Sequence, residues 1–289
     1  MTLTALATLG LILLGFGAGA LGAMVGVGGG IIVVPTLVLV FHVGIKTAIA
    51  TSLVAVVATS TAAGSVYVGR GLTNMRLAMT LEMFTTVGGI VGGFVAVWVA
   101  PSVLAAMFGV IMGVTATLLL RANDPLPRAA GSSVGPAVLG AEHPRRLAGS
   151  YYDAHAGEVI EYQAVRLPLG AAVSAAAGVI SGLLGVGGGF LKVPAMALGM
   201  NVPIKVAAAT SNFMIGVTAI ASLFIYLERG FVSPLLAAPV ALGVSAGALV
   251  GTRLAARVSG RLLRRVLSVI VIAVGIEMML RAAGITLVP

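Results

Sequence analysis

The sequence predicts an all-α polytopic membrane protein made of two inverted repeats, each a glycine-broken helical hairpin plus three transmembrane helices. Three observations predict it: extreme apolarity, a second half that copies the first, and a one-sided distribution of basic residues. Of 289 residues, 59% are hydrophobic and 9% are charged, whereas an ordinary soluble domain carries about 25% charged residues. Mean hydropathy is +1.14. A soluble globular domain is excluded. The 17 basic and 8 acidic residues give a net charge of +9, but the cations are scattered between apolar runs. They form no basic, aromatic-interleaved patch of the kind that binds nucleic acid. Charge this sparse is read as membrane topology, with the lipid bilayer as the main partner. Without Cys, thiolate metal sites, disulfides and cysteine nucleophiles are absent.

Hydropathy divides each half into five apolar segments, separated by Gly, Pro or isolated charges. They run over 3–25, 29–42, 45–68, 76–99 and 102–120, then 167–184, 188–201, 204–227, 234–253 and 262–283. No Lys or Arg precedes the first run, so it reads as a membrane segment and not a cleaved leader. The second segment of each half has 14 residues, about 21 Å of helix against roughly 30 Å of hydrocarbon. Neither spans alone. Each is expected to fold back on the segment before it, with the Gly-rich stretch as the bend. Residues 122–165 contain Pro125, Pro127, Pro136 and Pro144 and no apolar run long enough to span. The expected organisation is a first repeat over 1–121, a cytoplasmic linker over 122–165, ordered in part around Tyr151, Tyr152 and Tyr162, and a second repeat over 166–289.

The halves align at a constant offset of 159 residues, without a gap. Gly26 to Gly30 falls on Gly185 to Gly189, Pro35 on Pro194, Ile45-Lys46 on Ile204-Lys205, and Thr51-Ser52 on Thr210-Ser211. Fifteen of the 27 positions from Gly26 to Ser52 are identical. Shared apolarity does not align Pro, Lys and a glycine cluster, so the repeat is an internal duplication. Arg253, Arg257, Arg261, Arg264 and Arg265 form the strongest basic cluster, which the positive-inside rule places in the cytoplasm. Threading the spans from there puts 13 of the 17 cations inside, with Lys46, Arg229 and Arg281 outside and Lys192 within an apolar segment. Both termini then face outside. Matched turns fall on opposite faces, which makes the duplication inverted, an arrangement common in secondary transporters.

Gly28, Gly29 and Gly30, with Gly187, Gly188 and Gly189, stand where an apolar helix must break and reverse. Such a break frees backbone N–H groups that lipid cannot satisfy, so it must face protein or a water-filled cavity. The short helix that follows aims its N-terminal amides and positive dipole end at that cavity, which suits a small anion. The competing reading is close helix packing, the ordinary use of the spacings Gly15/Gly19, Gly88/Gly92, Gly178/Gly182 and Gly243/Gly247/Gly251. Duplication of the whole Gly-Pro block favours a site. It is not a nucleotide loop: the further Gly of the dinucleotide pattern and the Lys-Ser/Thr of the phosphate loop are missing.

These blocks, Gly26 to Pro35 with Thr51-Ser52 and Gly185 to Pro194 with Thr210-Ser211-Asn212, resemble the two signature blocks of the TauE/SafE sulfite exporter family of membrane permeases. The resemblance covers both halves and leaves out the linker. It implies transport of a small sulfur-containing or organic anion, such as sulfite, a sulfonate or a sulfoacetate-like compound, across a prokaryotic cytoplasmic (inner) membrane. Asn212 stands where the first repeat has Leu53, and Lys192 where it has Val33, so an asymmetric site is expected.

The candidate substrate contacts are the six glycines, Thr51, Ser52, Thr210, Ser211, Asn212 and Lys192. Hydroxyl and amide donors below the headgroups can bind an oxyanion; the competing use is helix-to-helix bonding. Lys192 either neutralises the anion or snorkels to the cytoplasmic interface along its four-carbon stem. Glu82 pairs with Lys192 or a cytoplasmic Arg, or carries a coupling proton; proton and sodium coupling both stay open. Tyr67 and Tyr226 read as interface belts, and Glu277 with Arg281 as a helical i,i+4 pair. The three histidines have no ligand-spaced partner, so no metal or other cofactor is expected. No catalytic constellation occurs in the spans, so an enzyme is not expected. A secondary anion carrier leads, and a passive anion channel is the alternative.

Overall fold

A computed structural model describes residues 4–121, 147–153, 158–255 and 260–282. Arg128, Arg145, Arg146, Arg257 and both chain ends, which enter the threading above, lie outside them. Thr4 opens α1 (Ala5–Val25), its side chain accepting the Ala7 N–H at 3.3 Å. The 21 residues of α1 rise about 32 Å, enough to cross a membrane. The helix stops at Gly26, whose φ of 79° lies in the left-handed region where glycine alone is unstrained. α2 (Gly30–Leu39) then runs back along α1, with Gly29 against Ala18 and Phe41 against Gly10. The expected hairpin is formed. α3 (Ile45–Gly69), α4 (Met75–Trp98) and α5 (Pro101–Arg121) complete the half.

In the second half α6 (Leu167–Leu184) ends at Gly185, φ 70°, and α7 (Gly189–Pro194) turns back so that Gly188 meets Ala177 and Met200 meets Gly170. Pro194 has no N–H to give the preceding turn. The chain widens there into a π-helical turn, Ala195–Gly199, and the Met200 N–H reaches the Ala195 carbonyl at 3.1 Å. α8 (Ile204–Glu228), α9 (Pro234–Leu254) and α10 (Gly260–Ala282) follow. Among the described residues six helices, α1, α3, α4, α6, α8 and α9, are long and apolar enough to cross a membrane, and α5 packs against α10.

The linker contributes the one departure from an all-helical chain among the described residues. β1 (Ala148–Asp153) pairs antiparallel with β2 (Glu158–Gln163), Ser150 opposite Glu161. Tyr151 and Tyr162 point from this hairpin into a cluster with Leu77, Leu81, Met196 and Met200. The hairpin is therefore docked on the start of α4 and the end of the second re-entrant segment, and the Val165 N–H donates to Met200 O at 3.0 Å.

Small residues set the helix pairing. α1 runs parallel to α9: Gly243, Gly247 and Gly251 pack on the carbonyls of Ile12, Phe16 and Ala20, and Gly15 and Gly19 on Val240 and Val244. α4 runs parallel to α6 in the same way, Gly88 and Gly92 on Ala175 and Val179, Gly178 and Gly182 on Thr85 and Gly89. The contact Gly247–Phe16 becomes Gly88–Ala175 when both numbers shift by 159, and Gly251–Ala20 becomes Gly92–Val179. α3 packs on α8 between these pairs. Leu37, Ile49, Leu53, Val56, Leu184 and Ile215 fill the centre.

Basic side chains collect at two ends. At one, Lys46 Nζ donates to Val97 O at 2.7 Å and lies 5.6 Å from the Phe231 ring, while Arg229 lies over Trp98 at 5.0 Å. Arg281, expected to pair with Glu277, donates at this end to Val38 O at 2.6 Å. At the other, Arg70 donates to Thr252 O at 3.3 Å. Lys46 thus caps a last-turn carbonyl of α4.

Candidate functional site

The two hairpin tips meet at the middle of the molecule. Gly30 packs on the Gly185 carbonyl and Gly189 on the Gly26 carbonyl, approaches that a Cβ would block. Gly28 and Gly187, with φ of 75° and 78°, face Val56 and Ile215 between them. Among the described residues, the amides of Gly28 to Ile31 and of Gly187 to Phe190 donate to no carbonyl. They are the orphan N-terminal donors of α2 and α7. The void beside the first tip, bounded by Gly22, Val27, Gly28 and Ile31, holds about 10 Å³, the room of a single water. The tips are closed on each other.

Serines fasten them. Ser52 Oγ donates to Gly185 O at 2.8 Å and Ser211 Oγ to Gly26 O at 3.0 Å, each reaching from its own half to the glycine that ends the first helix of the other. Tyr226 OH donates to Gly182 O at 3.0 Å and Tyr67 OH to Ala23 O at 3.0 Å. Both tyrosines are buried. The interface-belt reading of Tyr67 and Tyr226 is therefore corrected: each caps the last turn of the first helix in its own half, where carbonyls lack helical partners. The signal for this role in the sequence is the match of Tyr67 with Tyr226 at the 159-residue offset.

The remaining candidates are not equivalent. Thr210 Oγ1 accepts the Asn74 N–H at 3.1 Å, whereas the matched Thr51 Oγ1 is buried without a hydrogen-bond partner. Asn212 Nδ2 donates to Ala23 O at 3.2 Å and Ala208 O at 3.1 Å, leaving its Oδ1 unpartnered. Asn74 Nδ2 also donates to Tyr162 OH at 3.1 Å, so a chain of bonds joins the β-hairpin to Thr210. Burial pushes the Tyr162 phenol above its ordinary range, the Asn74 bond opposing, and the phenol stays neutral at physiological pH.

Lys192 does not snorkel. It is 1% exposed, and its Nζ lies 3.9 Å from Glu82 Oε2 on α4. Glu82 Oε1 accepts Thr218 Oγ1 at 2.6 Å and Thr86 Oγ1 at 3.1 Å. Glu82 Oε2 and Lys192 Nζ make no hydrogen bond. The structure thus brings together three groups of expected site residues: the facing glycine tips, the serine clasps that bind them, and a cation–carboxylate pair one turn beyond the second tip. Among the described residues no cluster of metal-ligating side chains occurs.

Comparison with known proteins agrees with this architecture. The chain is 26% identical over 277 residues to "Probable membrane transporter protein YunE" of Bacillus subtilis (strain 168), covering 93% of this chain and 96% of that one. It is 29% identical over 238 residues to a "Probable membrane transporter protein" of Xylella fastidiosa (strain Temecula1), covering 81% and 78%. No solved structure matches the chain. Residues 11–278, from α1 through α10, match the family described as sulfite exporter TauE/SafE. A helical membrane chain with broken-helix hairpins in both halves, matched over nearly its whole length, is a membrane transporter and not an enzyme, and it belongs to the TauE/SafE sulfite exporter family.

Proposed function

We propose that the protein is a secondary carrier of a small organic or sulfur-containing anion, of the sulfite, sulfonate or sulfoacetate class, in the cytoplasmic membrane. It works by alternating access of two inverted repeats around the facing glycine tips, and both termini face outside. What carries this reading is the pair of tips: two sets of unpartnered amides meet at one centre, with one buried cation beside them. Amides and a helix N-terminus bind an oxyanion without a full counter-charge, and broken helices at mid-membrane are where secondary transporters hold substrate. The exchange of contacts at the 159-residue offset, together with parallel α1/α9 and α4/α6 pairs, supports inversion. The family match to sulfite exporters supports the substrate class.

Direct packing of Gly30 on the Gly185 carbonyl and of Gly189 on the Gly26 carbonyl favours a carrier over the passive-channel alternative, since a carrier passes through an occluded state and a channel needs a continuous path. The deciding experiment is purified protein in proteoliposomes, with labelled sulfite, methanesulfonate, thiosulfate, sulfoacetate and acetate offered at varied pH and sodium. Saturable uptake that is accelerated by unlabelled anion on the opposite side is expected for at least one sulfur oxyanion. Single-channel currents in planar bilayers, without such counterflow, are the opposite result.

A further inference from the structure

We infer that Glu82 and Lys192 form an anion-for-carboxylate exchange site, in which the substrate anion takes Lys192 from Glu82 and one proton enters on Glu82. The inference rests on the anion-carrier reading above and assigns the coupling ion of that same site.

Four observations carry it. First, the pair is buried, with side chains 1% and 6% exposed. Second, it is loose: 3.9 Å separates Nζ from Oε2, and neither atom makes a hydrogen bond. A buried pair that contributes to stability needs close geometry and satisfied lone pairs, and this one leaves an ammonium free to receive another oxygen ligand. Third, the fold does not require it. At the matched position of the first half stands Val33 for Lys192, fully buried in the core, and at that of the second half Ala241 for Glu82. The matched hydroxyls Thr59 and Ser245 bond to Ala55 and Ala241 carbonyls of their own helices, whereas Thr218 and Thr86 are turned onto Glu82. Fourth, Lys192 lies four residues from Gly188, on the short helix whose first amides are unpartnered.

Charge conservation then fixes the proton. With the site empty, carboxylate and ammonium sum to zero. A monovalent anion at Lys192 leaves a second negative charge in a buried setting, and an uncompensated charge there is strongly disfavoured. One proton from the side where the anion entered, bound to Glu82, restores neutrality; on release both depart and the pair reforms. The other groups around Glu82 do not compete for this role. α6 has no titratable side chain. On α8 the titratable residues Lys205, Tyr226 and Glu228 sit at the helix ends, away from Thr218. The β-hairpin brings Tyr151 and Tyr162 to the first turns of α4, near Leu77 and Leu81. Arg76 on α4 itself is exposed. The predicted stoichiometry is one proton per monovalent anion, without net charge movement.

The test uses proteoliposomes and labelled methanesulfonate, whose charge does not change in the working pH range, together with the panel above. With membrane potential clamped at zero, wild type should accumulate the anion about tenfold per unit of inward proton gradient. Glu82→Gln, a permanently neutral side chain, should lose that ratio, which falls to about one while counterflow is still measurable. The double variant Lys192→Val with Glu82→Ala copies the residue at the matched position of the opposite half in each case; it should purify as a monodisperse protein and lose counterflow about a hundredfold. A Glu82→Gln protein that still concentrates the anion, or a double variant exchanging at the wild-type rate, overturns the inference. Wild-type counterflow without any accumulation driven by the proton gradient overturns it too and leaves the carrier reading standing. No counterflow of any anion from wild type overturns both.

Discussion

At the scale of single residues, the two serine clasps are the most testable contacts. Ser52 and Ser211 each donate to a buried carbonyl that ends a helix in the opposite half. Replacing either by Ala leaves that carbonyl unpaired, a loss of about 1–3 kcal/mol. Ser52→Ala and Ser211→Ala should each lower the melting temperature in detergent by a few degrees and raise the exchange rate if opening the tips limits it. Equal melting of both variants and wild type would show that the bonds are not made in the membrane. Depth and duplication singled these serines out in the sequence, but not their acceptors, which lie 133 and 185 residues away. Lys192 shows the same limit. Its position within an apolar run marks it as unusual, yet only the approach of α7 to α4 decides between a buried pair and a snorkelling side chain. Local spacing also misled: Arg281 and Glu277 satisfy the i,i+4 rule, and the arginine reaches across to Val38.

The helices show which features of a chain are legible in one dimension. Length and apolarity gave the segment boundaries to within a few residues, and the shortness of 29–42 and 188–201 gave the re-entrant hairpins. The π-helical turn after Pro194 was not legible, since Pro35 occupies the matched position of an uninterrupted α2. Nor was the β-hairpin, because a pair of six-residue strands in a Pro-rich linker is stabilised by docking on α4 and not by its own pattern. The glycine seams give a contrast within one helix. Gly19 packs on Val244 backbone, whereas a side chain at Gly17 would meet open space. Gly19→Val should force α1 from α9 and cost about 3 kcal/mol or more, beyond the usual overpacking range because backbone and not a side chain must yield. Gly17→Val should be nearly neutral. Size-exclusion profiles and melting curves of the two variants check this, and similar curves would mean that α1 and α9 do not pack through glycine.

For the whole molecule, the question is which way each half faces. In an inverted pair, matched positions lie on opposite faces of the membrane; in a parallel pair they lie on the same face. The register of contacts in α1/α9 and α4/α6 favours the first, and the grouping of Lys46, Trp98, Arg229 and Phe231 at one end, away from Arg70, agrees with the threading drawn from basic residues. A chain with no Cys makes the test direct. Arg76 and Leu235 are a matched pair, both exposed at the starts of α4 and α9. A membrane-impermeant maleimide added to intact cells should label Leu235→Cys and should reach Arg76→Cys only after the membrane is opened. Labelling of both from one side would refute inversion, and with it the alternating-access scheme. Labelling of Arg76→Cys alone would keep the inversion and turn the molecule over, placing Lys46 and Trp98 in the cytoplasm. That outcome would also set the basic cluster from Arg253 to Arg265 outside, against the charge rule that oriented the chain.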